Sequence, residues 1–197
     1  MTGIVNLSPG WFAQGHETAN YALQASADMR DHQNQDYLRE LKFTNALLGG
    51  IHSIIQPELF QSGLEAMDRL AIQTQDPYTI TALQLWQTPF TGLSVIINRE
   101  TITHRDVKGY RASFDLLLTI GNYTHGRMNL PGLGFSLEYD PGTLVALAGN
   151  VLQHGVCPVN GNRACLAHFF HKAVGERLEL KEPQWMTRNQ YIASYME

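Results

Sequence analysis

The sequence predicts an α+β domain in which a helical N-terminal half packs against a sandwich- or barrel-like β core. Two periodicities and their punctuation predict it. Between about Glu17 and Gln75, apolar residues recur at spacings of three and four, as in Tyr37, Leu38, Leu41, Ala46, Leu47, Ile51, Ile54 and Ile55. That is the period of an amphipathic helix. From about Leu93 the chain changes to short runs rich in Val, Ile, Leu and Phe, separated by Gly, Pro, Asn and Asp. Short strands at regular spacing with turn residues between them point to an all-β sandwich or barrel.

Each element follows from local chemistry. Pro57-Glu58 opens a second helix with Leu59, Phe60, Leu64, Met67 and Leu70 along one side, because proline fits the first helical turn. Asp76-Pro77 is expected to stop it. Strands are expected over Leu93–Ile97, Phe114–Ile120, Gly134–Tyr139, Thr143–Ala148 and Ala164–Phe170. Turns are expected at Gly121-Asn122, Pro131-Gly132, Asp140-Pro141-Gly142 and Asn160-Gly161-Asn162. The expected organisation is a single domain over 1–197, with a helical region over 1–80, the β core over 90–175 and a C-terminal helix over 183–196.

Composition excludes several classes. With 44% hydrophobic and 16% charged residues, the chain is neither disordered nor fibrous. No apolar run approaches the roughly 20 residues of a membrane span, so no membrane partner is expected. The first residues lack a basic stretch leading into an apolar one, so no secretory signal is read. Two cysteines, Cys157 and Cys165, do not make a disulfide scaffold and suit a reducing intracellular compartment. No basic cluster separates cytosol from nucleus; the nucleus follows if the substrate is DNA. No motif identifies a protein partner. The net charge of −4 is unevenly spread: residues 1–92 hold nine acids and four bases, residues 93–197 nine acids and ten bases. A modest basic face therefore remains available to a polyanion.

The tripeptide His104-Arg105-Asp106 carries the first chemical signal. On a strand, residues two apart share a face, so His104 and Asp106 project together and Arg105 points the other way. His154, at the end of an expected strand, supplies a third ligand. Two histidines and one carboxylate on one face of an octahedral metal form the facial triad of non-haem Fe(II) oxygenases, with positions left open for a keto-acid and O₂. A His-x-Asp alone also suits a polar turn. Arg163, nine residues after His154, opens the apolar stretch Arg163-Ala164-Cys165-Leu166-Ala167-His168-Phe169-Phe170-His171. A buried arginine there requires an anion, and its fork grips a carboxylate with two parallel hydrogen bonds. The distal carboxylate of 2-oxoglutarate is such an anion; Asp115 is the alternative partner within the protein.

These residues resemble the double-stranded β-helix dioxygenases, and within them the TET/JBP group that oxidises methylated bases, small fungal and protist members in particular. His104-Arg105-Asp106 is the tripeptide of the animal enzymes, and His154 followed by Arg163 keeps the order of ligand and arginine. Residues six and eight after that arginine are often an aromatic that stacks on the flipped base and a histidine that hydrogen-bonds it; here they are Phe169 and His171. Alternation puts Cys165, Ala167, Phe169 and His171 on the face of Arg163. The resemblance spans roughly 90–172 and implies a jelly-roll core, Fe(II) held by His104, Asp106 and His154, and 2-oxoglutarate held by Arg163. Arg99, Asn98, Asn129 and Cys165 are further co-substrate candidates, and Ala167 a substrate contact.

The implied partner is methylated DNA, with 5-methylcytosine oxidised to 5-hydroxymethylcytosine and beyond, or N6-methyladenine demethylated. Arg105, Lys108, Arg111, Arg127, Lys172, Arg177 and Arg188 are candidate phosphate contacts, and Gly109-Tyr110 is a candidate element for base flipping. Two features depart from the family. The cysteine-rich region of the animal enzymes is absent, and Gly109 stands where some protist relatives read the base with an acid or amide. A 2-oxoglutarate-dependent hydroxylase of a protein side chain, RNA or a small metabolite is the enzymatic alternative. A β-barrel binding domain without a metal is the non-catalytic one.

Overall fold

The computed structural model describes residues 2–12 and 21–193. Strand β1 (Gly3–Leu7) comes first, followed by helices α1 (His32–Glu40), α2 (Lys42–Ile55), α3 (Pro57–Gln73) and α4 (Pro77–Leu85). Eight strands then follow: β2 (Gly92–Ile97), β3 (Thr101–His104), β4 (Asp115–Thr124), β5 (Arg127–Leu130), β6 (Phe135–Glu138), β7 (Leu144–Leu147), β8 (His154–Val156) and β9 (Asn160–Phe169). Short helices α5 (Lys172–Arg177) and α6 (Arg188–Ala193) close the chain.

The strands form two antiparallel sheets, a five-stranded one in the order β1-β2-β9-β4-β7 and a four-stranded one in the order β3-β8-β5-β6. Leu117, Leu147 and Cys165 of the first sheet bury against Met128, Leu130 and Val156 of the second. The outer face of the five-stranded sheet is covered by helices. Leu93, Val95 and Leu166 pack on Leu38, Leu41, Ala82 and Trp86, while Leu116 and Phe170 pack on Leu48, Leu59 and Phe90. Burying each such side chain contributes about 1.5–3 kcal/mol, so the helices are the outer half of the core that holds β9 in place.

Local chemistry departs from the sequence reading at five places. Residues 3–7, expected in the helical region, form an edge strand that pairs with β2 from Gly3↔Ile97 to Leu7↔Leu93; five residues are too few for either periodicity to declare itself. Asp76-Pro77 ends α3 but also begins α4. The Asp76 carboxylate accepts hydrogen bonds from the Thr79 N–H at 3.1 Å and the Thr79 hydroxyl at 2.9 Å, and proline at the first position suits a helix start. Gly121-Asn122 and Asn160-Gly161-Asn162 are not turns. They lie inside β4 and β9 and pair with each other, Asn122↔Asn162 flanked by Gly121↔Arg163 and Tyr123↔Gly161. Both glycines have left-handed backbones (φ +134° and +121°), and a Cβ on either would stand 2.1–2.2 Å from a carbonyl oxygen across the ladder. The glycines serve close strand approach. Helix α5 was not expected, and among the described residues the expected C-terminal helix covers Arg188–Ala193, with 183–187 outside it. The expected helical residues 17–20 and 194–196 lie outside the described residues.

Two buried histidines fasten helices to the sheet. His168, on the helix-facing side of β9, bonds through Nε2 to Asn45 Oδ1 of α2 at 2.9 Å. His52 of the same helix stacks against Phe90 and Phe170 at centroid distances of 4.6 and 5.5 Å. Burial lowers both pKa values to about 4. The unfolded chain then binds protons, between its ordinary histidine value and about 4, that the folded one refuses. Stability is thus full above pH ~6.5 and is lost as pH falls toward ~4. At pH 5 each histidine is expected to withdraw about 2 kcal/mol relative to neutral pH. Urea midpoints at pH 7.5 and pH 5 check this: His168→Gln should shrink the difference, and an undiminished one would mean His168 is not a source.

Candidate active site

The site begins with a cross-strand pair. His104, the last residue of β3, lies directly opposite His154, the first of β8, and the two rings sit 4.4 Å apart between centroids. Each ring places Nδ1 at the carbonyl two residues earlier, His104 at Ile102 O (2.9 Å) and His154 at Leu152 O (3.0 Å). A proton on Nδ1 satisfies that bond and leaves each Nε2 lone pair aimed inward, the tautomer a metal needs. Asp106 meets both: His104 Nε2 is 3.2 Å from Oδ1 and His154 Nε2 is 3.3 Å from Oδ2. The ligand atoms of the three residues all lie within 4.8 Å of one another. Two imidazoles and a carboxylate with converging lone pairs fit Fe(II).

Asp106 is not on the strand, as the sequence reading had it. β3 ends at His104, and Asp106 is fixed just beyond by its own N–H, which donates to Gly149 O at 2.9 Å. Arg105 is consequently not turned to the opposite face but lies exposed at the cavity rim. Burial pushes the Asp106 carboxyl up, but hydrogen bonds to His154 and His104 and their positive charge outweigh it and hold it below the ordinary carboxylate range. Burial pulls His154 down, and the same carboxylate with the Leu152 carbonyl more than reverses that. Asp115 is buried nearby, and its pKa is raised well above the ordinary value, first by burial and then by the charge of Asp106.

Arg163 is only 3% exposed. Its Nε–H donates to Thr119 Oγ1 at 3.0 Å, and its guanidinium lies 5.1 Å over the Tyr139 ring. No carboxylate, Asp115 included, forms an ion pair with it among the described residues. A buried cation without a counter-charge is costly, so the donor set fits a small dicarboxylate that brings one. Asn98 ties the end of β2 to β9: with φ +48°, its Oδ1 accepts the Arg163 backbone N–H at 2.7 Å, and its own backbone N–H donates to Arg163 O at 2.9 Å.

A cavity of about 430 Å³ joins the triad to Arg163 and continues along β9 past Cys165, Ala167, Phe169 and His171. The intervening Leu166, His168 and Phe170 face the helices. The Phe169 ring lies over Gly92, where a Cβ would stand 2.6 Å from its Cζ. The His171 backbone N–H donates to the buried Thr91 Oγ1 at 2.7 Å.

Other candidates fall elsewhere. Arg99 is exposed and does not line the cavity. Asn129 sits on the outer side of β5, where Nδ2 donates to Cys157 Sγ and Oδ1 accepts from Ser136 Oγ; alternation gives the cavity Met128 instead. Tyr110 is 4% exposed and its hydroxyl packs onto Gly175, so it cannot enter a base stack. Lys172 pairs with Glu176 and Glu182, and Arg127 with Glu138. Trp11 was missed. It lines the cavity with its ring 6.1 Å from Phe169 and 5.1 Å from His171, in an N-terminal stretch with no motif to flag it. Gly149 was also missed.

The family model for Tet_JBP, the oxygenase domain of the 2OGFeDO superfamily, matches residues 8–172. The chain belongs to the Tet_JBP family. It is therefore an Fe(II)- and 2-oxoglutarate-dependent dioxygenase, and these are its cofactors. The match takes in helices α1–α4 as well as strands β2–β9. Among solved structures, the fold of this Tet_JBP chain is similar to that of "NgTET1 in complex with 5mC DNA", at 15% identity and a TM-score of 0.61, covering 100% of this chain and 69% of that one. That likeness establishes a shared fold. No curated protein matches the sequence. No described helix is long and apolar enough to cross a membrane.

Gly149 and Arg163 give separate tests of the two halves of this Tet_JBP site. A Cβ at Gly149 would stand 2.6 Å from Asp106 Oδ2 and 2.5 Å from Asp115 Oδ2. Gly149→Ala is expected to weaken Fe(II) binding by about 10–100-fold in an anaerobic titration; unchanged affinity would mean Asp106 can shift at no cost. Arg163→Lys removes the fork and should raise the 2-oxoglutarate Kd by about 10–100-fold while leaving Fe(II) affinity near wild type. Equal loss of both would point to collapse of the site.

Proposed function

We propose that this oxygenase oxidises the methyl group of a modified base in DNA, taken out of the duplex into the cavity. The observation that carries the reading is one wall of the cavity: Phe169, at the end of β9, and His171, two residues beyond it, follow Arg163 along the cavity that holds His104, Asp106 and His154. A ring face for stacking and an imidazole for an edge hydrogen bond are what a flipped base requires. The complex of NgTET1 with 5mC DNA supports the same substrate class. The two facing sheets are read as a double-stranded β-helix, and residues 1–197 as one catalytic domain whose helices buttress β9 from outside.

In this reading His104, Asp106 and His154 hold Fe(II), and Arg163 takes the distal carboxylate of 2-oxoglutarate, with Cys165 beside it on the strand. With iron and the keto-acid bound, O₂ would be the oxidant: one oxygen atom would oxidise the keto-acid to succinate and CO₂ and the other would hydroxylate a C–H bond. The protein orients the methyl group and keeps water out. Ala167 leaves the strand low between the co-substrate end and the base end. Phe169 stacks on the base, and His171 meets its edge. Oxidation of 5-methylcytosine gives 5-hydroxymethylcytosine and higher products; hydroxylated N6-methyladenine breaks down to adenine and formaldehyde. Gly109 offers no side chain to read the base, which leaves discrimination to His171 and Trp11. A DNA substrate places the enzyme inside the cell, in the nucleus where there is one.

Nucleoside mass spectrometry after incubation with Fe(II), 2-oxoglutarate, ascorbate and duplex DNA carrying both methyl bases tests this. One methyl base should be consumed, and His104→Ala should abolish the loss. Phe169→Ala should cut kcat/KM by about 10–100-fold, the value of one base–aromatic stack. Succinate formed without any change in DNA would sink the reading and move the substrate to protein, RNA or a metabolite.

A further inference from the structure

Flipping a base leaves a gap in the stack and costs a few kcal/mol. Some side chain at the mouth of the cavity must help to meet that cost. Tyr110 is buried and unavailable. Three residues earlier, Val107 is 78% exposed and lines the cavity mouth, flanked by the exposed Arg105 and Lys108, which line it too. A lone exposed valine is ordinary. This one lies between two cations at the entrance of a cavity, on a loop with little freedom to yield.

The backbone shows that rigidity. The Asp106 N–H donates to Gly149 O at 2.9 Å, and the Gly109 N–H to Asp106 O at 3.0 Å. Asn150 Nδ2 donates to both Asp106 O (3.3 Å) and Gly109 O (3.0 Å). From the far side the Lys172 N–H donates to Lys108 O at 2.9 Å, and Gly109 bridges to His171. The loop is therefore anchored at one end to a metal ligand and at the other to the wall that would receive the base. A tethered backbone can hold an apolar side chain against a base stack without retreating. Cations on both sides suit the phosphates that flank a flipped nucleotide.

Given the DNA substrate proposed above, we infer that Val107 is the wedge that fills the space vacated by the flipped base, with Arg105 and Lys108 gripping the adjacent backbone. Its signature is a duplex-specific effect, because a single strand has no pair to open. The experiment compares turnover of one methylated oligonucleotide as a single strand, in a duplex, and in a duplex with an abasic site opposite the methylated base. For Val107→Gly the duplex-to-single-strand ratio should fall by about tenfold, the equivalent of 1.4 kcal/mol. The abasic partner should restore most of it. Val107→Thr keeps the branched shape and should lie between glycine and wild type. Arg105→Gln should lower the salt slope of duplex binding by about one. A ratio unchanged in Val107→Gly, a parallel fall on both substrates, or a wild type active only on single strands overturns the wedge while leaving the DNA oxygenase standing. A wild type that oxidises methylated DNA in neither form removes both.

Discussion

Strand β9 has to satisfy two opposed surroundings with one backbone, and its period-two alternation is the constraint on which the rest depends. Residues 166, 168 and 170 are buried among helices, while residues 163, 165, 167 and 169 line the cavity. A slip of one residue would carry Arg163 into the helical core and Leu166 into the active site. The register is held from both sides by β2 and β4, and from outside by the Asn45–His168 bond. The helical half therefore bears on the chemistry, because it fixes which face of the strand the cavity sees.

The metal end obeys a different logic. Asp106 is shared by two imidazoles whose other nitrogens are already committed to backbone carbonyls. That arrangement leaves the three lone-pair donors facing a common centre, where a divalent cation satisfies all of them at once. The Arg163 end is its electrostatic complement, a buried positive charge with no carboxylate bonded to it among the described residues. In the proposed reading, a dicarboxylate that chelates the metal at one end and is gripped by Arg163 at the other would bridge the two.

The sequence disclosed most where chemistry and period reinforce each other. That His104, Asp106, His154 and Arg163 would meet at one cavity was legible because few roles suit those side chains in that order, and the second half of β9 because the run from Ala164 to Phe169 is free of turn residues. Packing was less legible. Gly121 and Gly161 resemble turn residues in any local reading, and only the pairing of β4 with β9 shows why a Cβ has no room. Asn129 and Met128 are neighbours on a four-residue strand, too short for its pattern to say which faces inward. Trp11 and Gly149 reach the site through contacts more than 40 residues away in sequence, and no spacing rule connects them to it.

The five residues from Arg105 to Gly109 carry Asp106, one of the three groups placed to hold a metal, and end at the bridge to His171. A shared backbone makes the two ends thermodynamic partners. Whatever iron does to the affinity for a molecule resting on this loop, that molecule must do to the affinity for iron, by the same factor. Where metal binding shifts this loop, it alters recognition as well as chemistry, and an enzyme stripped of its metal is then altered as a binder before it is tested as a catalyst.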